Sequence, residues 1–162
     1  MSGPSDPRKT GDAAAAHFQG GLYCAESVLL ALADHLGVNS DALPAIATGF
    51  CGGMSRTRGP CGALTGAVMG LGLAYGRDRG DQGVDQNYRA VQALARLFEG
   101  EFGAIGCVDL LGCDLGTEEG REKFRSEGLS ARCLGFTRRA AEIAAELIDT
   151  PPAANCNKGC GC

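Results

Sequence analysis

The chain has 162 residues, a formal net charge of -4, and 44% hydrophobic and 21% charged residues. That length suits one domain with a substantial core, and the acidic balance argues against binding nucleic acid through a basic surface. With no tryptophan and 6% aromatic residues, base stacking is disfavoured as well. The opening MSGPSDPRKT carries no apolar run and no export signal. The longest apolar stretch, 63–75, falls short of the roughly 20 residues that span a bilayer and is broken by glycines. A cytoplasmic protein without membrane insertion is expected.

Residues 1–9, with Pro4 and Pro7, read as a disordered leader. A first helix follows from a Thr10 cap to Phe18, closed by Gly20-Gly21. His17 in it has no partner at metal-ligand spacing and reads as a surface residue. The next helix spans 23–36. Val28, Leu32 and Leu36 recur every fourth residue, Leu29 widens the stripe and Gly37 ends it. Extended back one turn, that stripe reaches Cys24. Residues 39–48 predict a shorter helix capped by Asp41, with Pro44 in its first turn.

Residues 49–76, GFCGGMSRTRGPCGALTGAVMGLGLAYG, form the centre of the chain. The first half reads as a glycine-rich loop carrying Cys51, Arg56 and Arg58. The second half reads as a helix with Pro60 at its first position and Cys61 in its first turn. Leu64, Val68, Leu71 and Tyr75 share one face, and Gly62, Gly66 and Gly70 recur on another. Each such glycine costs about 1 kcal/mol against alanine. The stripe therefore predicts close approach of a second backbone, in a monomer or a homodimer.

Residues 76–83 form a charged solvent loop. The long helix 84–102 presents Val84, Tyr88, Val91, Ala95, Phe98 and Phe102 on one core-facing stripe, widened by Leu94 and Leu97. Cys107 opens a short helix, CVDLL, and Cys113 follows Gly112. Thr117 starts a charged, solvated helix that runs to about Gly128. The last helix, capped by Ser130, carries Cys133, Phe136, Ala140, Ile143 and Leu147 at helical spacing until Pro151-Pro152 ends it. No strand alternation appears. The fold class is all-α: a compact bundle of about five main helices plus short ones over 10–149, followed by a Cys-rich flexible tail over 150–162.

Nine cysteines stand at positions 24, 51, 61, 107, 113, 133, 156, 160 and 162. The odd number and the missing export signal favour metal, cluster or redox chemistry over a disulfide framework. Any one of them alone reads equally well as a small buried hydrophobe. Cys24, Cys61, Cys107 and Cys133 each fall in the first turn of a separate predicted helix, where backbone N–H groups and the helix dipole favour thiolate. If those ends converge, the four suit an iron–sulfur cluster or a tetrahedral zinc. Their spacings of 37, 46 and 26 match neither a CxxC ribbon nor a ferredoxin run. In the tail, Cys156, Cys160 and Cys162 make a Cx3CxC set suited to Cu(I), zinc, part of a cluster or disulfide exchange.

Cys24, the CGAxxG segment Cys61-Gly62-Ala63-Leu64-Thr65-Gly66, Cys107 and Cys133 resemble the C_GCAxxG_C_C family of redox-active bacterial proteins. GFCGGM, GLGLAYG and FGAIGCVDLLG add to the likeness, which covers about residues 15–148. The resemblance implies a redox role carried by those four cysteines, in bacterial and archaeal anaerobes. It also implies kinship with split-Soret cytochrome c proteins, whose related domain is helical and associated with an iron centre. The chain has no CxxCH, so no haem attachment is expected. It has no P-loop or strand-led GxGxxG, so no nucleotide site is expected either. Cys51 and Cys113 are not among the family's four and read as extra ligands, a resolving thiol or core.

The leading expectation is an iron–sulfur protein that transfers electrons to or from a redox partner protein. Cys24, Cys61, Cys107 and Cys133 are its ligands, and Arg56 or Arg58 balances their charge. Two alternatives are a metal-free thiol–disulfide oxidoreductase and a protein that binds or sequesters soft metal (zinc or copper).

Overall fold

The computed structural model describes residues 6–154, whose regular elements are all helices: α1 (Pro7–Gln19), α2 (Cys24–Leu36), a 3-10 helix (Ala45–Phe50), α3 (Cys51–Arg56), α4 (Gly62–Tyr75), α5 (Asp85–Phe102), α6 (Cys107–Leu111), α7 (Glu118–Ser126) and α8 (Ser130–Asp149). The all-α expectation holds, with one isolated antiparallel bridge, Pro60 to Gly106, and no strand among the described residues. No described helix is long and apolar enough to cross a membrane. The tail cysteines Cys156, Cys160 and Cys162 lie outside the described residues.

Several helix ends differ from the sequence expectation. α1 begins at Pro7, so residues 7–9 belong to the helix and not to a leader. The cap is Asp6, whose carboxylate accepts the Arg8 N–H at 3.0 Å, and Pro7 fills the position that needs no donor. The helix expected over 39–48 is a turn followed by the 3-10 helix, with Pro44 as its N-cap. A proline cannot donate into a preceding turn, so regular hydrogen bonding starts only after it. Ser130 is the first residue of α8 and Leu129 its cap.

α1, α2, α4 and α8 pack together, and α5 lies against α4 and α8. The glycine stripe of α4 is the seam with α2. A Cβ built on Gly66 would stand 2.6 Å from the Ala25 carbonyl oxygen, so only glycine admits the neighbouring backbone there. The close approach is therefore made within one chain. On α5 the buried face is Ala90, Ala93, Leu94 and Phe98, whereas Tyr88 and Leu97 are exposed. The expected stripe is thus rotated toward the small alanines, which let α5 sit close to its neighbours.

The direction of the helices follows from contacts at one end. The Tyr75 hydroxyl, at the end of α4, donates to the carbonyls of Leu147 and Ile148 in the last turn of α8, at 3.0 and 2.7 Å. Near the end of α2, the His35 ring nitrogens lie 2.8 Å from Thr10 Oγ1 and 3.0 Å from Asp149 Oδ1. The C-termini of α2, α4 and α8 therefore share one end of the bundle. Their N-termini, carrying Cys24, Cys61 and Cys133, share the other.

Candidate functional site

The sequence places each cysteine at its helix start by ordinary local means. Cys24 is the first residue of α2, held by Glu26, which accepts the Tyr23 N–H at 2.8 Å and the Thr48 hydroxyl at 2.6 Å. Cys107 is the first residue of α6, and Cys133 lies in the first turn of α8. Cys61 is the N-cap of α4 rather than a residue inside it, and Pro60 is extended in the bridge rather than helical. That bridge joins two of the sites. The Cys61 N–H donates to the Ile105 carbonyl at 2.8 Å and the Cys107 N–H to the Gly59 carbonyl at 3.1 Å. Two cysteines 46 residues apart are thereby held on one bridge, diagonally across it.

The expected glycine-rich loop is instead a left-handed helical turn. Gly52, Gly53, Met54 and Ser55 have φ of 65, 71, 55 and 56°, and Arg56 continues at 66°. The Thr57 N–H closes it on the Gly53 carbonyl at 3.2 Å, while Ser55 Oγ donates to the Gly49 carbonyl at 2.9 Å. Left-handed helix costs about 1–2 kcal/mol for each residue that is not glycine. Met54, Ser55 and Arg56 bear that cost, and the surrounding contacts must supply it. The turn brings Gly53 under Cys107. A Cβ there would lie 2.6 Å from the Cys107 Cβ and 3.3 Å from its sulfur.

Cys24, Cys61, Cys107 and Cys133 line one cavity of about 30 Å³, walled by Leu110, Leu111, Leu115 and Phe136 and floored by Gly52 and Gly62. All four predicted residues are brought together. Burial pushes the Cys61 and Cys107 thiols up to about 11 and Cys133 up to about 12. The Ala63 and Leu64 N–H groups pull Cys61 the other way but do not outweigh its burial. The thiolate preference expected at these helix ends is therefore overturned for the protein alone, because loss of water costs the charged sulfur more than the N–H groups return. A cation in the cavity reverses that balance, since thiols bind metal as thiolates.

Cys51 adjoins the set. Its thiol shares a hydrogen bond with Cys24, which with burial holds its pKa far above the ordinary thiol range, and it also donates to the Ala47 carbonyl at 3.7 Å. In the sequence Cys51 reads as part of a loop, so only folding shows this contact. Cys113 is buried near Cys107 and Cys133 without lining the cavity, and burial raises its pKa too. Arg58 pairs with Asp114 at 3.6 Å, and Arg56 stands at the outer edge of the left-handed turn. The cavity walls Leu110, Leu111, Leu115 and Phe136 were read only as parts of helices or loop. Phe136 could have been found from its position three residues after Cys133 on the apolar stripe of α8.

With the four thiols on one cavity, the comparison with known families becomes specific. The family model described as "Putative redox-active protein (C_GCAxxG_C_C)" matches residues 22–147, a span that includes all four cysteines. The chain belongs to the C_GCAxxG_C_C family. No curated protein and no solved structure matches it. Family membership gives the redox character and leaves the bound group to the chemistry of the site.

A tetrahedral zinc holds its thiolates at about 2.3 Å, so the sulfurs must close on a single point. Among the described residues, no three His, Cys, Asp or Glu side chains stand close enough together to grip one metal ion. Four buried thiols with apolar walls are donors of the kind that zinc and iron–sulfur centres both take.

Proposed function

We propose that Cys24, Cys61, Cys107 and Cys133 hold an iron–sulfur cluster and that the protein transfers electrons to or from a partner. The observation that carries this reading is the single cavity lined by those four thiols at the converging N-termini of α2, α4 and α8. A bound cluster supplies one-electron redox chemistry. The chain's own residues do the rest. Leu110, Leu111, Leu115 and Phe136 exclude water from the sulfurs. The Gly59–Ile105 backbone pairing fixes Cys61 beside Cys107. Aligned helix dipoles favour the negative charge that four thiolates carry.

A metal-free reading has one observation in its favour, the interaction of the Cys51 thiol with Cys24, which makes these two a candidate disulfide pair. The raised pKa of the neighbouring thiols works against it, because the thiolate is the attacking form.

Anaerobic purification followed by iron, sulfide, zinc and copper analysis separates these readings. Iron and acid-labile sulfide at cluster stoichiometry, lost in Cys61→Ser, are expected. Metal-free protein that reconstitution leaves unchanged, with a Cys24–Cys51 disulfide forming on oxidation, would overturn the cluster in favour of the dithiol.

A further inference from the structure

A second, larger hollow opens on the outer side of the cysteine site. It is a groove of about 650 Å³, and Cys24, Cys133, Gly52 and Leu115 line both it and the thiol cavity. That volume lies within the range of small-molecule sites, roughly 300–1,000 Å³. Its apolar wall is built by Phe18, Leu22, Tyr23 and Phe124. Tyr23 stands 63% exposed at this wall.

The charged residues of the groove have one sign. Arg56, Arg121 and Arg125 line it and no Asp or Glu does, although the whole chain carries a net charge of -4. Arg121 is braced by its hydrogen bond to the Leu115 carbonyl at 3.0 Å, and Arg125 pairs with Glu122 at 2.7 Å. Arg56 differs: its guanidinium has no hydrogen bond or ion pair among the described residues. It is also held at φ 66°, in the left-handed turn that forms the floor. A cation without an internal partner beside an aromatic wall is free to pair with an external anion.

We propose that this groove binds a small organic anion, with an aromatic or aliphatic body against Phe18, Tyr23 and Phe124 and a carboxylate or phosphate head on Arg56 and Arg125. The shared wall puts the bound molecule against Cys24 and Cys133, at the edge of the thiol site. The binding goes beyond the electron-transfer reading and does not depend on a cluster.

Calorimetric titration of the anaerobically purified full chain tests it, with 2-naphthoate as the probe and uncharged 2-naphthamide as its control. One naphthoate per chain is expected, bound about tenfold or more tightly than the amide, the difference one charge-assisted hydrogen bond makes. Arg56→Gln and Arg125→Gln should each weaken naphthoate by about the same factor. Arg138→Gln, which lies outside the groove and pairs with Asp12, should bind as the parent does. Should Arg56→Gln fail to fold, Arg125→Gln on α7 carries the comparison. Equal binding of acid and amide, or equal loss in Arg138→Gln, would overturn the proposal. So would a Glu-rich peptide that binds where naphthoate does not, since the groove would then serve an acidic protein surface. The readout is heat of binding, so the proposal and the cluster can fail separately.

Discussion

At the C-terminal end of α2, α4 and α8, protein groups meet the helix ends. The Tyr75 hydroxyl donates into the last carbonyls of α8, and His35 bridges Thr10 and Asp149. At the N-terminal end the same three helices present thiols to a cavity, beside a left-handed turn built partly from residues that disfavour it. The aligned dipoles make the first end negative and the second positive. Donors within the fold answer the negative end. At the positive end the buried Cys61 and Cys133 thiols, with pKa values pushed up to about 11 and about 12, stay neutral in the protein alone. One end is closed by donors from within the fold, and the other is lined by buried thiols.

The largest disturbance of this contrast comes from Gly53→Ala. The new methyl meets the Cys107 Cβ at 2.6 Å and forces an alanine to φ 71°. A loss of roughly 2–4 kcal/mol in urea unfolding is expected, together with reduced iron per folded molecule. An unchanged unfolding midpoint would mean that the left-handed turn is not held against Cys107. Tyr75→Phe acts at the opposite end. Removing the hydroxyl should cost about 1 kcal/mol and leave iron content as it was. If iron fell along with stability, the two ends would not be separable. The smallest effect sharpens the contrast. Arg56→Gly relieves a left-handed residue and should raise stability by up to about 1 kcal/mol, while weakening naphthoate in the groove. A lower melting temperature would show that the arginine's contacts outweigh its backbone cost.

Much of the fold was legible. The four-residue steps of Val28 and Leu32 gave α2, and the stripe of Gly62, Gly66 and Gly70 gave a tightly approached α4. Helix ends were less legible where capping competes among neighbours: Asp6 and Pro7 displaced the Thr10 cap, and Pro44 replaced an α-helix by a 3-10 turn. Cys24, Cys61, Cys107 and Cys133 were singled out by their predicted helix starts and by the family resemblance, and the fold brings them to one cavity. The contact of Cys51 with Cys24 and the groove lined by Arg56 and Arg125 were not, because α2, α3 and α7 meet only after folding.

By itself the sequence determined the helices, the placing of four cysteines at helix starts and the glycine seam, since capping and periodicity act within a few residues. The tertiary structure decided that α2, α4 and α8 point the same way and that Cys61 lies beside Cys107 across the Pro60–Gly106 bridge. It also decided that Met54, Ser55 and Arg56 stay left-handed, since isolated chains of those residues prefer the opposite hand. The ionisation of the thiols belongs there too. A helix N-terminus favours thiolate, but burial, which exists only in the folded molecule, is the stronger term.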